Sequence, residues 1–186
     1  MRRMAPSGAC LLAGWLVLAG VTACGGHAAV PALKSTASTL PPAPTASPSA
    51  SGSPQAQARH AYLGMWQAFV AASKTADYQS PALAHYATGG ALSLLTHGLY
   101  QNYRNGIVTR GQPTFDPQVT ITSSGGSPVQ ANVTDCANSA TWANYYQSGK
   151  PAPGASPGRQ RVYATLQPYF GVWKVTYLVV EKVGTC

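Results

Sequence analysis

The stretch that most constrains the fold is the terminal one, Arg159 to Cys186, which reads as two β-strands joined by a tight turn. With Phe170-Gly171 as the two turn residues, Leu166 falls opposite Val175, Ala164 opposite Tyr177 and Val162 opposite Val179, giving one apolar face. The other face pairs Gln167 with Lys174, Thr165 with Thr176, Tyr163 with Leu178 and Arg159 with Lys182, and is mostly polar. Pro168 then meets Trp173 in a non-hydrogen-bonded pair, where its missing N–H removes no ladder bond.

Upstream, the hydrophobic period is helical. Ser53-Pro54 is an N-cap followed by proline in the first turn, and Tyr62, Met65, Trp66, Phe69, Val70 and Ser73 recur at three and four, which predicts a helix to about Ser73. Ser80-Pro81 starts one or two further turns through Leu83 and Tyr86. A third helix carries Leu92, Leu95, Leu99 and Tyr103 and stops at Asn105-Gly106. After it the period changes to two. Ile107 to Phe115 is expected as a first strand. Val119 and Ile121 are set against Val129, Ala131 and Val133 around Ser123–Pro128 as a second hairpin, and Thr141 to Tyr146 forms another strand. The Pro- and Gly-rich segment from Gln147 to Gly158 is expected as an exposed loop. Helices first and antiparallel strands afterwards argue for an α+β fold in which a curved sheet closes over the helices.

The N-terminus is of a different kind. Arg2-Arg3 precede an apolar run from Ala9 to Gly20, too short for an ordinary membrane span, and read as an export signal. The run ends in Val21-Thr22-Ala23-Cys24, which resembles the bacterial lipobox. That resemblance implies cleavage after residue 23, acylation of Cys24 and retention at the membrane facing outside. The alternative is an ordinary secretory signal cut near His27-Ala28-Ala29, which would give a secreted protein. From residue 24 to 55 the chain is rich in Ala, Pro, Ser and Thr and nearly free of charge, the composition of a disordered tether reaching up to roughly 90 Å. Residues 56–186 are left as one folded domain, about 130 residues around one core.

Charge narrows the partners. Lys and Arg number 12 and Asp and Glu 4; without Arg2 and Arg3 the balance is 10 against 4, formally +6. The basic residues are not clustered among aromatics, which argues against nucleic acid and leaves envelope polymers, phospholipid heads or an envelope protein. Of the four cysteines, Cys10 lies in the signal and Cys24 in the lipobox. Cys136 and Cys186 remain and are expected to pair in an exported domain, a metal or redox site being the competing reading.

The order of helix, short helix, helix and meander, ending in Gly171-Val172-Trp173-Lys174-Val175, resembles the nuclear transport factor 2-like cone fold. The domain also resembles a group of uncharacterised secreted or lipid-anchored actinobacterial proteins, through Tyr62-Leu63-Gly64-Met65-Trp66, Val133-Thr134-Asp135-Cys136 and Gly184-Thr185-Cys186. The resemblance implies N-terminal helices in the concave side of a curved antiparallel sheet. It does not choose an activity, because that fold houses isomerases, dehydratases, binders and interaction modules.

Acid–base residues are few. Asp77, Asp116, Asp135 and Glu181 are the acids of the domain, and His60, His85 and His97 its histidines. Tyr62 with Asp77 matches no isomerase motif, and Tyr62 sits in the buried stripe. His85 and His97 lack a second ligand one turn away, so no metal or cofactor is expected and no catalytic residue is assigned. Ten tyrosines and four tryptophans are more informative. Trp66 and Trp173 belong to the core. Tyr100, Tyr103, Trp142, Tyr145 and Tyr163, with Arg159, Arg161 and Lys174, are the candidates for a pocket rim or partner surface. The reading is a lipid-anchored, non-enzymatic binding or interaction module; the alternative is a small isomerase- or dehydratase-like enzyme, or a carrier, acting on an apolar ligand in the cone.

Overall fold

A computed structural model describes residues 52–154 and 157–186. The expected signal at 1–23, Cys24 and nearly all of the expected tether lie outside the described residues.

Three helices lead the described residues: α1 (Pro54–Ser73), α2 (Pro81–Tyr86) and α3 (Gly89–Arg104). They form where the caps and periods require. The Ser53 hydroxyl accepts the Ala56 N–H at 3.2 Å, and Pro54 occupies the first turn, where its missing N–H costs nothing. Gly106, at φ 63°, ends α3 in the left-handed conformation that glycine adopts without penalty. Helix α1 is buried well beyond one stripe: Ala58, Ala61, Ala68 and Ala72 are covered as well as Tyr62, Met65 and Trp66. Gly64 explains one of these contacts. A Cβ there would lie 2.5 Å from Cε1 of Tyr86, so the bare glycine lets the α2 ring seat directly on α1.

Six strands follow: β1 (Ile107–Arg110), β2 (Gln118–Ser124), β3 (Ser127–Asn138), β4 (Ala143–Tyr146), β5 (Arg159–Tyr169) and β6 (Val172–Val183). The main sheet is antiparallel in the order β2-β3-β5-β6, while β1 and β4 pair separately. The first and fourth strands are shorter than their sequence period implies. Phe115 leaves β1 to stack on Trp66 at 5.0 Å, a burial its aromatic surface favours over continued pairing. Gly111, at φ 85°, runs against the Thr141 carbonyl so closely that any Cβ would collide with it, and the chain turns there.

The terminal hairpin departs from perfect alternation. Its tip pairs as expected, with Leu166 opposite Val175, Gln167 opposite Lys174 and Pro168 opposite Trp173. Beyond Val175 the register shifts by one. Thr165 pairs with Tyr177, Ala164 with Leu178 and Val162 with Val180, leaving Thr176 as the extra residue of a β-bulge. Leu178 therefore turns inward at 6% exposure and Tyr177 outward at 59%, the reverse of the regular ladder. The chain between α2 and α3 lies along the edge of β6 beside the bulge, where the Thr88 N–H donates to the Val175 carbonyl at 2.9 Å.

A second shift places Glu181 and Lys182 opposite Arg161 alone. The Arg161 N–H donates instead to the Thr185 hydroxyl at 2.8 Å. A third bulge sets Val129 outside the ladder between β2 and β3, so Val129 is exposed rather than part of the apolar face. Such bulges bend strands and increase their twist, and the curved sheet holds the helices in its concave side.

One core results. Tyr62, Met65, Leu83, Leu95 and Leu99 from the helices meet Val133, Val162, Ala164, Leu166, Val175 and Leu178 from the sheet. Each large side chain removed from water here contributes about 1.5–3 kcal/mol. A Cys136–Cys186 disulfide ties β3 to the segment after β6.

Candidate functional site

Two regions inside the curved sheet differ in how their polar groups are satisfied. In the first, the Tyr62 hydroxyl donates to Oδ2 of Asp135 at 2.9 Å, and Oδ1 of the same carboxyl accepts the Asp116 backbone N–H at 2.9 Å. Both side chains are buried. Burial first, and the neighbouring Asp135 second, push the Tyr62 phenol well above the usual tyrosine range. The neighbouring Trp66 indole N–H opposes that rise, but it is outside hydrogen-bond geometry and is buried without a partner. Phe115 and Trp66 close over the Tyr62 ring at 6.3 Å each. This Tyr–Asp contact fastens α1 to β3. Its phenolic proton is already engaged and it lines none of the described cavities.

The second region is open. A groove of about 600 Å³ runs between α1, α3 and β6, with Trp66, Phe69, Leu94, Leu95, Leu178 and Val180 supplying apolar walls. Glu181, Lys182 and Val183, at the second bulge, form part of its rim. Leu94 is 47% exposed there, beside the covered Leu95. Phe69 and Trp142 meet edge to face at 6.0 Å.

A smaller chamber of about 100 Å³ adjoins the groove, and Phe69, Trp142 and Gln160 line both spaces. The rest of its wall is polar and uncharged: Ser73, Asn102, Thr109, Ser139 and Asn144. Ser73 Oγ donates to the Val70 carbonyl at 2.9 Å, so the 2.7 Å contact between Ser73 and Thr109 uses the Thr109 proton. Ser139 Oγ donates to the Gly158 carbonyl at 3.0 Å. Trp142 Nε1 is buried with no partner. The three hydroxyls have therefore used their protons and keep lone pairs, while one indole donor stands unused.

The residues singled out in the sequence do not gather at one place. Trp142 lines both spaces. Tyr100 and Tyr103 on α3 pack around Tyr78 at 5.2 Å each, and Arg104 donates to the Tyr100 hydroxyl. Tyr145 on β4 lies beneath the Arg110 guanidinium at 4.7 Å. Tyr163 is on the outer face of β5. Arg159 Nε points to Cys136 Sγ at 3.3 Å, and Arg161 sits opposite the second bulge. Lys174 donates to the Ala84 carbonyl at 2.8 Å, which caps α2. Among the described residues no three His, Cys, Asp or Glu side chains converge as metal ligands. Phe69 entered the sequence reading as core, and Ser73, Leu94, Thr109, Ser139 and Gln160 entered no site. Besides Trp142, the sequence signal for the groove was the Leu94-Leu95 doublet, one leucine more than the helical stripe needs.

No family model matches the chain, and no curated protein matches it. Among solved structures it is similar to the intermembrane space region of the chloroplast protein ARC6, at 15% identity and a TM-score of 0.49, covering 70% of this chain and 98% of that one. It is also similar to a protein of Novosphingobium aromaticivorans provisionally assigned as an aromatic ring hydroxylase, at 12% identity and a TM-score of 0.43, covering 68% and 90%. At these values neither protein's chemistry transfers to this chain.

Proposed function

We propose that the chain is an extracytoplasmic binding module, held at the outer face of the membrane through acylated Cys24, that takes an apolar ligand in the groove between α1, α3 and β6 without transforming it. The observation that carries this reading is the pairing of a roomy apolar groove with a Tyr62–Asp135 contact that is closed on itself elsewhere. Acid–base catalysis needs a proton donor or acceptor within hydrogen-bond reach of the bound molecule. The described titratable residues of the groove are Glu181 and Lys182, exposed neighbours on the rim. The lipobox motif and the Pro-rich segment behind it support the anchored location.

Two measurements test the proposal. The full chain in an actinobacterial host should partition with membranes, and Cys24→Ala should abolish incorporation of labelled acyl chains; unchanged incorporation would remove the anchor. Residues 25–186, which contain every described core residue, should carry a reproducible extra mass in native mass spectrometry after secretion. A bare mass, together with no uptake of added amphiphiles, would overturn the ligand-binding reading.

A further inference from the structure

We propose that the chamber beside the groove is a head-group site for an uncharged, hydroxyl-bearing amphiphile, whose apolar body lies along the groove. The inference rests on the groove being a ligand site and goes on to specify the class of molecule.

The wall chemistry carries it. Eight residues line the chamber, and none bears a charge: Ser73, Thr109 and Ser139 contribute hydroxyls, Asn102, Asn144 and Gln160 amides, and Phe69 and Trp142 rings. An ionised head entering this space would shed its hydration with no counter-charge to replace it, a cost that only pairing offsets. A purely apolar end would leave the polar wall of Thr109, Ser139, Asn102 and Gln160 without a partner, so it is disfavoured too. A hydroxyl meets both requirements at once. Its proton can go to a hydroxyl whose own proton is committed, as at Thr109 and Ser139, and the Asn102 and Gln160 amides on the same wall supply donors for its oxygen. Gln160 and Trp142 belong to both spaces and mark where head and body would meet. The chamber is small, about 100 Å³, which suits a compact head and excludes a bulky one.

The test holds the tail constant and changes the head. Monolauroylglycerol, dodecanoate and dodecylammonium are titrated into residues 25–186 below their micelle concentrations, with affinity read by calorimetry and stoichiometry by native mass spectrometry. The expected result is one-to-one binding of monolauroylglycerol at least ten-fold tighter than either charged analogue. Thr109→Val should reduce that preference five-fold or more while dodecanoate binding stays as it was. Asn102→Leu, at a less buried position that lines the chamber and not the groove, should do the same and guards against Thr109→Val failing to fold. Equal affinity for all three would overturn the head-group assignment and leave the groove as a ligand site. Binding of none would overturn the groove reading itself, and an unchanged preference in both folded variants would mean that the chamber holds water only.

Discussion

Helix α1 looks two ways, and its two sides solve the same problem differently. Towards β3 it presents Tyr62, whose hydroxyl reaches Asp135, which also takes the Asp116 N–H; the aromatic rings of Trp66 and Phe115 close over the contact. Towards α3 and β6 it presents Phe69 and Ser73, beside which space remains open and an indole N–H goes without an acceptor. Buried polar groups cost free energy unless they are matched. Each side leaves one indole N–H unpaired, Trp66 on the filled side and Trp142 on the open one. What differs is that the filled side matches its carboxyl and phenol within the chain, whereas the open side keeps space beside its hydroxyls.

Substitutions should separate the two sides by size of effect. Asp135→Ala strands both the Tyr62 hydroxyl and the Asp116 N–H, and should lower unfolding free energy by about 2–5 kcal/mol in urea titration. A loss below about 1 kcal/mol would mean that the filled side is no tighter than the open one. Tyr62→Phe removes one hydrogen bond and should cost about 1–3 kcal/mol at neutral pH. It should also change the alkaline limb. Because the folded-state pKa of Tyr62 is raised, its contribution is fully present below the unfolded tyrosine value of about 10 and is lost as pH climbs above it. The stability gap between the parent and Tyr62→Phe should therefore narrow from about pH 10 upward, the exposed tyrosines cancelling in the difference. A gap constant to pH 11 would contradict the buried contact. On the open side, Leu94→Ala should change stability by about 0.5 kcal/mol or less while weakening uptake of a dodecyl amphiphile.

The architecture was legible because it depends on local signals. Caps at Ser53 and Ser80, the stop at Asn105-Gly106 and the turn at Phe170-Gly171 are written in neighbouring residues, and the elements begin and end at them. The register beyond Val175 was not legible, because nothing in the neighbouring residues marks the bulge at Thr176, which lies beside a contact from Thr88, 88 residues earlier in the chain. The candidate site was hidden for a similar reason. Ser73, Thr109, Ser139 and Gln160 are ordinary polar residues in four separate elements or loops, and only the closed sheet brings them to one chamber. The tyrosines and cations drew attention by composition, yet most are occupied in local packing: Lys174 caps a helix, and Tyr100 and Tyr103 hold Tyr78.

The bulges also act as phase markers along β6. Inward positions are odd at Trp173 and Val175, even at Leu178 and Val180, and odd again at Val183. The strand is thus three short segments, each keeping its own parity, and a one-residue deletion between two markers swaps inside for outside only as far as the next. Changes of length near the groove could in this way alter its lining while leaving the hairpin tip in register.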